Sequence, residues 1–219
     1  MEEFLKTGAV SVSLCLSGVL FFSVSLLFYF RKQNTFYAVT ALVISGILIR
    51  CGMSFFDPWL NGWDEVYHAL VAKNMTRHFF TPTLYDAPLF KLSNYWVGCE
   101  YWLHKPPLFL WQMALSMKIF GCNVIAARLP SALLSGFAVY FMFDIGRRMV
   151  DEKAGYFAAV IYCLAYYPLE LACGAACNDH NDTSFVFYIT ASLWAWLRYQ
   201  NKPTLTNALL IGLFSGIAI

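Results

Sequence analysis

An acid-base group follows the second long apolar run of this sequence, where Asp64, Glu65 and His68 stand close together. If a helix begins at Trp63, Asp64 and His68 share one face and Glu65 lies beside them. Such acids are also common in a first helical turn simply because they complement the helix dipole. At the exit of a membrane span, however, a carboxylate can be desolvated enough to act as a general base. The segment predicts either an ordinary helix start or an acid-base site, and its membrane context favours the second.

A second group is His104-Lys105-Pro106-Pro107. A proline favours an extended conformation for the preceding Lys105, at the mouth of a helix whose free N–H groups attract anions. This pattern predicts a phosphate site, although an ordinary proline helix start with a lysine reaching the interface explains it equally well. Arg128, at the start of the next apolar run, is either a second cation for that phosphate or, as we favour, a residue among lipid headgroups.

The third group is the polar turn 178–183, which contains Asp179, His180 and Asp182 between two apolar runs. Asp182 is in place to cap a helix that begins at Ser184, whereas Asp179 and His180 are not needed for that cap. Carboxylate and imidazole together could also hold a divalent metal ion. The candidate ligands are Asp64, Glu65, His68, Asp179, His180 and Asp182. No fixed ligand spacing supports the metal, so it is the lesser hypothesis, and no other cofactor is indicated.

Composition places these groups in an integral membrane protein. Of the 219 residues, 59% are hydrophobic and 13% are charged, and the mean hydropathy is +0.56. An ordinary globular domain carries about 25% charged residues. The net charge of +2 is too small and too scattered to indicate a nucleic acid partner. The seven cysteines contain no C-x-x-C pair and predict no metal cage. Whether Cys99 and Cys122, which share one polar loop, form a disulfide stays open.

The apolar runs predict an all-α protein with several spans, because runs of this length can cross a bilayer about 30 Å thick. The predicted spans are residues 8–30, 36–56, 125–143, 156–176 and 184–199, with a last one that starts near Leu205. Arg50, close to the end of the second span, is expected to reach toward the interface. Tyr166-Tyr167-Pro168 predicts a kink in the fourth span. Because the sequence stops inside an apolar run, we expect it to be truncated at residue 219, an N-terminal piece of a longer chain.

The short basic connections predict which way the chain crosses the membrane. They carry Arg31 and Lys32, then Arg147, Arg148 and Lys153, then Arg198 and Lys202, while the opposing short segments contribute only Lys6. The basic side is therefore expected to be the cytoplasmic side of the cell (inner or plasma) membrane. Asp64, Glu65, Lys105 and the turn 178–183 then all lie at the non-cytoplasmic face.

Residues 57–125 are expected to form one long outer loop with two helices. An amphipathic pattern predicts the first helix from Trp63 to Phe80, with Asn61 as its cap. The aromatic segment 81–104 suits the headgroup region of a membrane. The second helix starts at Pro106-Pro107 and stops before Gly121, and its length of about 22 Å is too short for a full span. We therefore predict two juxtamembrane helices.

Three stretches occur in a particular order along the chain. They are Gly62-Trp63-Asp64-Glu65-Val66-Tyr67, then Lys105-Pro106-Pro107-Leu108-Phe109-Leu110-Trp111 with Ala126-Ala127-Arg128-Leu129-Pro130-Ser131, and last Asp179-His180-Asn181-Asp182. Together they resemble the membrane glycosyltransferases that use polyprenyl-phosphate sugars, including the protein O-mannosyltransferases and the bacterial lipid A aminoarabinose transferases. The resemblance covers residues 35–219 and implies the N-terminal part of a multi-span helical domain of the GT-C type. Residues 1–34 are then an extra N-terminal span with its basic cytoplasmic turn.

The resemblance also implies roles for individual residues. Asp64 would be the base that activates the acceptor, with Glu65 beside it in the family's acidic pair. Lys105 would contact the phosphate of a polyprenyl-phosphate-linked sugar. Displacement from the face opposite that phosphate would invert the anomeric centre. The acceptor is a hydroxyl or phosphate on a lipid, a glycan or a protein.

One acidic residue of the family has two matches in the polar turn. Asp182, or with less support Asp179, would correspond to it. The family often has a proline soon after this aspartate, and Thr183 and Ser184 stand here instead. The choice between Asp179 and Asp182 therefore stays open.

Two other classes of protein compete with the enzyme. An ion- or proton-coupled transporter would use the same acids and histidines, but that class predicts ionisable groups near the middle of the membrane. A membrane scaffold without catalysis would explain the spans and leave the polar turn 178–183 without a purpose. The clustering of acids at one surface favours the glycosyltransferase.

Overall fold

The computed structural model describes residues 2–90, 92–93, 95, 97–173 and 178–218, with side chains from Thr7 onward. Its helices are α1 (Glu2–Phe30), α2 (Thr35–Ser54), α3 (Asp64–Met75), α4 (Leu108–Phe120), α5 (Val124–Met149), α6 (Glu152–Leu164), α7 (Tyr166–Cys173), α8 (His180–Asn201) and α9 (Leu205–Ile217). In the described ranges the extended pairing is one isolated bridge between Thr83 and Tyr101. The predicted all-α fold is confirmed.

Several of these helices suit a membrane. Within the described residues, three are long and apolar enough to cross one: Thr7–Phe30, Thr35–Ser54 and Val124–Met149. Helices α6 and α7 meet at 47° and together pass the same test as one bent span, so the predicted kink is confirmed. The end predicted for that span, Ala176, lies outside the described residues. Helix α8 contains the predicted span 184–199 but is not among these candidates, since polar residues lower its hydropathy.

The bend between α6 and α7 lies at Ala165 and has a buried cation beside it. The last carbonyls of α6 lack the full set of helical partners at such a break, and that of Tyr162 accepts the N–H of Ala165 at 3.4 Å. Arg50 donates to the carbonyls of Tyr162 and Cys163 at 3.3 and 3.2 Å. Its Nε donates to Ser135 Oγ at 2.7 Å. Arg50 is fully buried, so the prediction that it reaches the interface was wrong. Its charge instead stabilises the carbonyl end of α6.

Small residues allow the spans to approach closely. A Cβ added at Gly136 of α5 would lie 2.9 Å from the Cα of Ile47 on α2. One added at Gly146 of α5 would lie 2.8 Å from the Cα of Gly155 on α6. Larger side chains at these positions would push the helices apart, as expected of membrane helices that associate through small residues. Helix α5 is thus held firmly against α2 and α6, and this fixes the residues at its start.

The loop between α2 and α5 folds into a unit of its own around α3 and α4. Its core consists of Ala69, Val71, Ala72, Met75, Leu84, Trp102, Phe109, Leu110, Met113, Ala114, Met117, Ala126 and Ala127. Helix α3 begins at Asp64 with Trp63 at the cap position and ends at Met75, so the predicted Asn61 cap and the predicted end at Phe80 were wrong. Beyond α3 the chain turns, because Asn74 Nδ2 donates to the carbonyls of Thr83 and Leu84 at 3.0 Å each.

Helix α4 follows the prediction more closely. It runs from Leu108 to Phe120 with Pro107 at the cap position, and Gly121 follows it with φ 87°. A glycine adopts this left-handed conformation without strain, which explains why the helix stops there. No disulfide joins Cys99 and Cys122 among the described residues.

The long loop and the basic turns lie at opposite ends of the helices. Thr35 Oγ1 donates to Glu152 Oε1 at 2.6 Å, which joins the turn before α2 to the turn before α6. At the same end of α5, Asp144 accepts a hydrogen bond from Trp194 Nε1 of α8 at 2.8 Å. The long loop follows the other end of α2 and precedes the other end of α5. The basic turns therefore share one end, and the candidate site residues lie at the other.

Candidate active site

Three charged side chains meet at the loop end of the helices, and we name them the lysine cluster: Lys105, Asp64 and Asp179. Lys105 Nζ lies 2.8 Å from Asp179 Oδ2 and 3.6 Å from Asp64 Oδ2. The three side chains are partly exposed, at 16% for Lys105, 27% for Asp64 and 13% for Asp179. The structure thus brings together one residue from each of three distant sequence groups, at a place that solvent reaches.

Each member of the lysine cluster is positioned by a helix start. Asp64 is the first residue of α3, and Asp179 is the cap residue of α8. Lys105 precedes Pro106, which restricts it to extended conformations, and α4 begins three residues later at Leu108. The free N–H groups in the first turn of α4 carry a partial positive charge. The cluster therefore combines one ammonium group with the positive end of a helix.

Asp179 uses its two carboxylate oxygens for different purposes. Oδ1 accepts the backbone N–H groups of Asn181 and Asp182 at 2.9 and 3.2 Å, and Oδ2 contacts Lys105. Burial raises the pKa of Asp179, but the hydrogen bond and charge of Lys105 more than offset it, so the pKa is below its ordinary value. Asp179 is therefore an ionised helix cap at neutral pH.

Asp182 lies outside the lysine cluster. Its side chain is exposed, and Oδ1 accepts from Asn181 Nδ2 at 3.4 Å. The prediction that Asp182 caps a helix beginning at Ser184 was wrong, because α8 begins one turn earlier, at His180, and Asp179 caps it. Of the two aspartates that the sequence left open, Asp179 is the one that contacts Lys105.

A second set of polar residues lies behind the lysine cluster, and we name it the buried cluster: Glu65, Arg128, Asn178, His180 and Ser131. Arg128 Nε donates to Glu65 Oε1 at 2.6 Å and Nη2 donates to Glu65 Oε2 at 2.9 Å, and both side chains are fully buried. Arg128 also donates to the carbonyls of Ser54, Asp57 and Trp59. These bonds occupy all five N–H donors of the guanidinium. Because Arg128 is fully buried, the prediction that it lies among headgroups was wrong. Its predicted contact with the donor phosphate would have to displace one of these bonds and stays a prediction.

Glu65 is saturated with donors. Besides Arg128, its Oε1 accepts from Asn178 Nδ2 at 3.0 Å and from His180 Nε2 at 3.3 Å, and its Oε2 accepts the backbone N–H of Asn61 at 2.7 Å. Burial raises the pKa of Glu65, but hydrogen bonds from Arg128 and His180 and their charges outweigh it and hold the pKa well below its ordinary value. Glu65 thus belongs to the buried cluster, and its predicted place in a catalytic pair stays a prediction.

The two histidines of the predicted site are buried and differ in their partners. His180 Nδ1 lies 2.8 Å from Ser131 Oγ of α5. His68 packs edge-on against Trp102 and Phe109, and neither of its ring nitrogens has a hydrogen-bond partner within the part of the chain that the structure describes. Burial, with the charges of His180 and Lys105, lowers the pKa of His68 well below its ordinary value. His68 is therefore neutral at physiological pH.

The described residues contain no group of three or more histidine, cysteine, aspartate or glutamate side chains arranged to hold a metal ion. The rings of His68 and His180 are 6.2 Å apart, and Glu65 is engaged by Arg128. The metal hypothesis therefore gains no support from this arrangement.

A cleft of about 490 Å³ opens beside Lys105. It is lined by Phe80, Pro82, Leu103, His104, Lys105, Pro106, Pro107 and Trp111. The indole of Trp111 is held in place, because its Nε1 donates to Phe79 O at 3.0 Å and its ring stacks on that of Phe79. The lysine cluster thus borders a largely apolar cleft of the size that ligand sites usually have.

Sequence reasoning missed two members of the buried cluster, Ser131 and Asn178. Ser131 ends a stretch that resembles the family, but an uncharged serine of an apolar helix is not by itself marked as a site residue. Asn178 stands in the polar turn, which the sequence did single out, but its partner Glu65 is 113 residues away. Only the packing of α3, α5 and the turn against each other shows that these residues share one carboxylate.

Residues 104–219 match the family described as dolichyl-phosphate-mannose-protein mannosyltransferase. This match includes Lys105, Arg128, Asp179 and Asp182, whereas Asp64 and Glu65 precede it.

Individual relatives share 25 to 30% of their residues with this chain over the aligned parts. An undecaprenyl phosphate-alpha-4-amino-4-deoxy-L-arabinose arabinosyl transferase 2 of Pseudomonas fluorescens Pf-5 is 30% identical over 168 residues, which are 74% of this chain and 25% of the relative. An uncharacterized protein of Aquifex aeolicus is 30% identical over 159 residues, 71% of this chain and 28% of the relative. An undecaprenyl phosphate-alpha-4-amino-4-deoxy-L-arabinose arabinosyl transferase of Pseudomonas aeruginosa UCBPP-PA14 is 25% identical over 58% of this chain and 23% of its own length. The chain thus spans about a quarter of the length of these relatives. No solved structure matches it.

Proposed function

This chain belongs to the dolichyl-phosphate-mannose-protein mannosyltransferase family, and from that premise we propose that it carries the catalytic end of a membrane glycosyltransferase. The donor is a polyprenyl-phosphate-linked sugar, and the acceptor is a hydroxyl or phosphate of a lipid, a glycan or a protein. The names of the bacterial relatives, which contain undecaprenyl phosphate, support a lipid of that class as the carrier.

The observation that carries the proposal is the position of Lys105, 2.8 Å from Asp179 and 3.6 Å from Asp64 beside an open cleft. A sugar on a lipid phosphate already has its leaving group. The protein must therefore neutralise the phosphate, position the acceptor and take its proton. Lys105 with the first turn of α4 suits the first task, and the partly exposed carboxylate of Asp64 suits the last.

The proposed reaction is a single displacement. The acceptor oxygen forms a bond to the anomeric carbon from the face opposite the phosphate, and its proton passes to Asp64. The bond between the anomeric carbon and the phosphate oxygen breaks, and its electron pair leaves with the polyprenyl phosphate, whose charge Lys105 offsets. The anomeric centre is inverted. Asp179 holds Lys105 in place during this displacement and forms no covalent bond itself.

The proposed location follows from the two ends of the helices. The lysine cluster lies at the end opposite the basic turns, and basic short loops favour the cytoplasm. We therefore place the reaction at the non-cytoplasmic face of the cell membrane. A lipid-linked donor in that leaflet has its phosphate at the level of the loop that carries Lys105.

The test is sugar transfer in membranes that contain the protein. A radiolabelled polyprenyl-phosphate sugar is added, and label that reaches an acceptor is counted. Asp64→Asn should lower the rate about a hundred- to ten-thousand-fold, the usual contribution of a general base, and Lys105→Met should lower it by a similar factor. Asp182→Asn is the matched control, because this exposed aspartate lies one turn from Asp179 without contacting Lys105. Near-normal transfer by Asp64→Asn would remove Asp64 from the mechanism.

A further inference from the structure

The turn that carries Asp179 is held from both sides by one carboxylate. The residue before it, Asn178, donates to Glu65 Oε1 at 3.0 Å, and the residue after it, His180, contacts the same oxygen through Nε2 at 3.3 Å. With both neighbours directed toward the protein interior, the side chain of Asp179 is directed the other way, to Lys105 at 2.8 Å. The buried cluster therefore sets the geometry of the lysine cluster.

The imidazole of His180 is in turn oriented by Ser131. Glu65 is ionised and can only accept, so the hydrogen on His180 lies on Nε2. Nδ1 and Ser131 Oγ, 2.8 Å apart, form the second hydrogen bond of the ring: the hydroxyl donates to Nδ1 in a neutral ring and accepts from Nδ1–H in a charged one. Both side chains are buried, at 3% exposure for Ser131 and 1% for His180, so each bond is shielded from competing water. Ser131 thus fixes the plane of the ring.

We propose that Ser131 and His180 are positioning residues, which act through the turn 178–180 to hold Asp179 against Lys105. The catalytic consequence rests on the proposed function, in which Lys105 binds the donor phosphate. The contacts themselves, from Ser131 through His180 to Glu65 and its partner Arg128, do not depend on it.

Loss of the Ser131 bond has a specific consequence for the lysine cluster. Oδ1 of Asp179 accepts the N–H groups at the start of α8. The contact with Lys105 therefore depends on Oδ2 alone and lengthens if the turn moves. When the Asp179 contact weakens, the ammonium group has Asp64 as its remaining neighbour, now 3.6 Å away. With this longer contact alone, the ammonium group is less protected from reagents and less well placed to offset the charge of the leaving phosphate. Catalysis should therefore slow while acceptor binding is unchanged.

The experiment compares Ser131→Ala with Ser135→Ala. Both serines lie on α5, one turn apart, and both are buried and hydrogen-bonded, but Ser135 contacts Arg50 at 2.7 Å instead of His180. The first readout is acetylation of Lys105 by an N-hydroxysuccinimide ester in membranes, measured by mass spectrometry against the exposed Lys73 and Lys118. Ser131→Ala should raise the rate at which Lys105 is acetylated roughly two- to tenfold, as expected for the loss of one buried hydrogen bond. Ser135→Ala should leave it unchanged.

The second readout is steady-state transfer. Ser131→Ala should lower kcat by about the same two- to tenfold factor with an unchanged KM for the acceptor. His180→Gln keeps a donor for Glu65 and removes the ring nitrogen that Ser131 contacts, so it should match Ser131→Ala. Ser131→Thr retains the hydroxyl and should restore both readouts toward the wild type.

The outcomes separate the two proposals. Equal labelling and equal kcat in Ser131→Ala and Ser135→Ala would overturn the positioning role, whether or not the wild type transfers sugar. A selective rise in Lys105 labelling, in a protein that transfers no sugar, would support the positioning role and overturn the proposed function alone.

Discussion

Asp64 and Glu65 are neighbours in the sequence with the same chemistry, yet they belong to two regions with different properties. Glu65 is fully buried and accepts hydrogen bonds from Arg128, Asn178 and His180. Asp64 is 27% exposed, and its neighbour Lys105 is 3.6 Å away beside a cleft. The difference arises because successive residues of a helix point about 100° apart. An acidic pair at a helix start can therefore divide into one structural group and one group that remains available to a ligand.

Saturation with partners distinguishes the two clusters as much as burial does. In the buried cluster every oxygen of Glu65 and every N–H of Arg128 is engaged, so a ligand could bind only by displacing a bond. In the lysine cluster the ammonium group has two carboxylate neighbours at 2.8 and 3.6 Å and solvent on another side. The buried cluster suits stability, and the lysine cluster suits binding. Each prediction below tests that division.

The largest expected effect is the loss of Arg128. Arg128→Leu leaves Glu65 charged and buried without its cation, which typically costs about 3–5 kcal/mol of folding free energy. We expect the variant to unfold at a much lower temperature in detergent, or to fail to accumulate in membranes. Both results are measured by fluorescence-detected size exclusion after heating.

A double variant provides the control for that measurement. Replacing Glu65 by Leu in the same protein removes the unpaired charge, and buried ion pairs replaced by apolar residues are often neutral in stability. Arg128→Leu with Glu65→Leu should therefore be more stable than Arg128→Leu alone. If the single variant is as stable as the wild type, the buried cluster is not a structural element.

The next largest loss of stability is expected at His180, and the other buried histidine, His68, provides the comparison. His180→Leu removes a donor from Glu65 and the ring nitrogen that the hydroxyl of Ser131 contacts, which should cost about 1–3 kcal/mol. His68→Leu removes no hydrogen bond within the described residues, so it should be neutral or slightly stabilising. The measurement is the thermal unfolding midpoint of both variants in the same detergent. Equal destabilisation would mean that the partners of His180 contribute nothing beyond the packing of its ring.

Much of the scaffold was predictable from local patterns in the sequence. The lengths of the apolar runs predicted the spans α1, α2 and α5 and the bent pair α6–α7. Pro168 accounts for the bend near it, and Pro106-Pro107 with Gly121 bound α4. These features depend on residues close together in the chain. The same holds for Asp64 and Lys105, whose positions follow from the starts of α3 and α4.

The buried cluster was not predictable in this way. Glu65 and Arg128 are 63 residues apart, and the spacing of charges along a chain does not show which acid a buried arginine selects. The cap of α8 was misassigned because Asp179 and Asp182 are equally good cap residues. What distinguishes them is tertiary: Lys105 contacts Asp179, and Glu65 holds both neighbours of Asp179.

A smaller loss of folding stability is expected at acidic pH. The pKa values of Glu65 and Asp179 lie below their ordinary values of 4.5 and 3.8. A carboxyl with a lowered folded-state pKa contributes its full stability above the unfolded value, and this contribution is lost as the pH falls through the folded one. Stability should therefore be constant from neutral pH to about pH 5 and decline below about pH 4. The unfolding midpoint of Asp179→Asn should fall less steeply with decreasing pH in that window than the midpoint of the wild type. Identical slopes for the two proteins would contradict an ionised Asp179 as the cap of α8.

The smallest effect on stability is expected at Lys105, where the proposed effect on activity is large. Its ion pairs are partly exposed, and such pairs contribute about 0–1 kcal/mol, so Lys105→Met should unfold within a few degrees of the wild type. The same membranes should show almost no sugar transfer, since the phosphate loses its cation. Lys118→Met, at an exposed position of α4, is the matched control and should preserve both properties. A Lys105→Met protein that unfolds as early as Arg128→Leu would remove the distinction, because both clusters would then serve the fold.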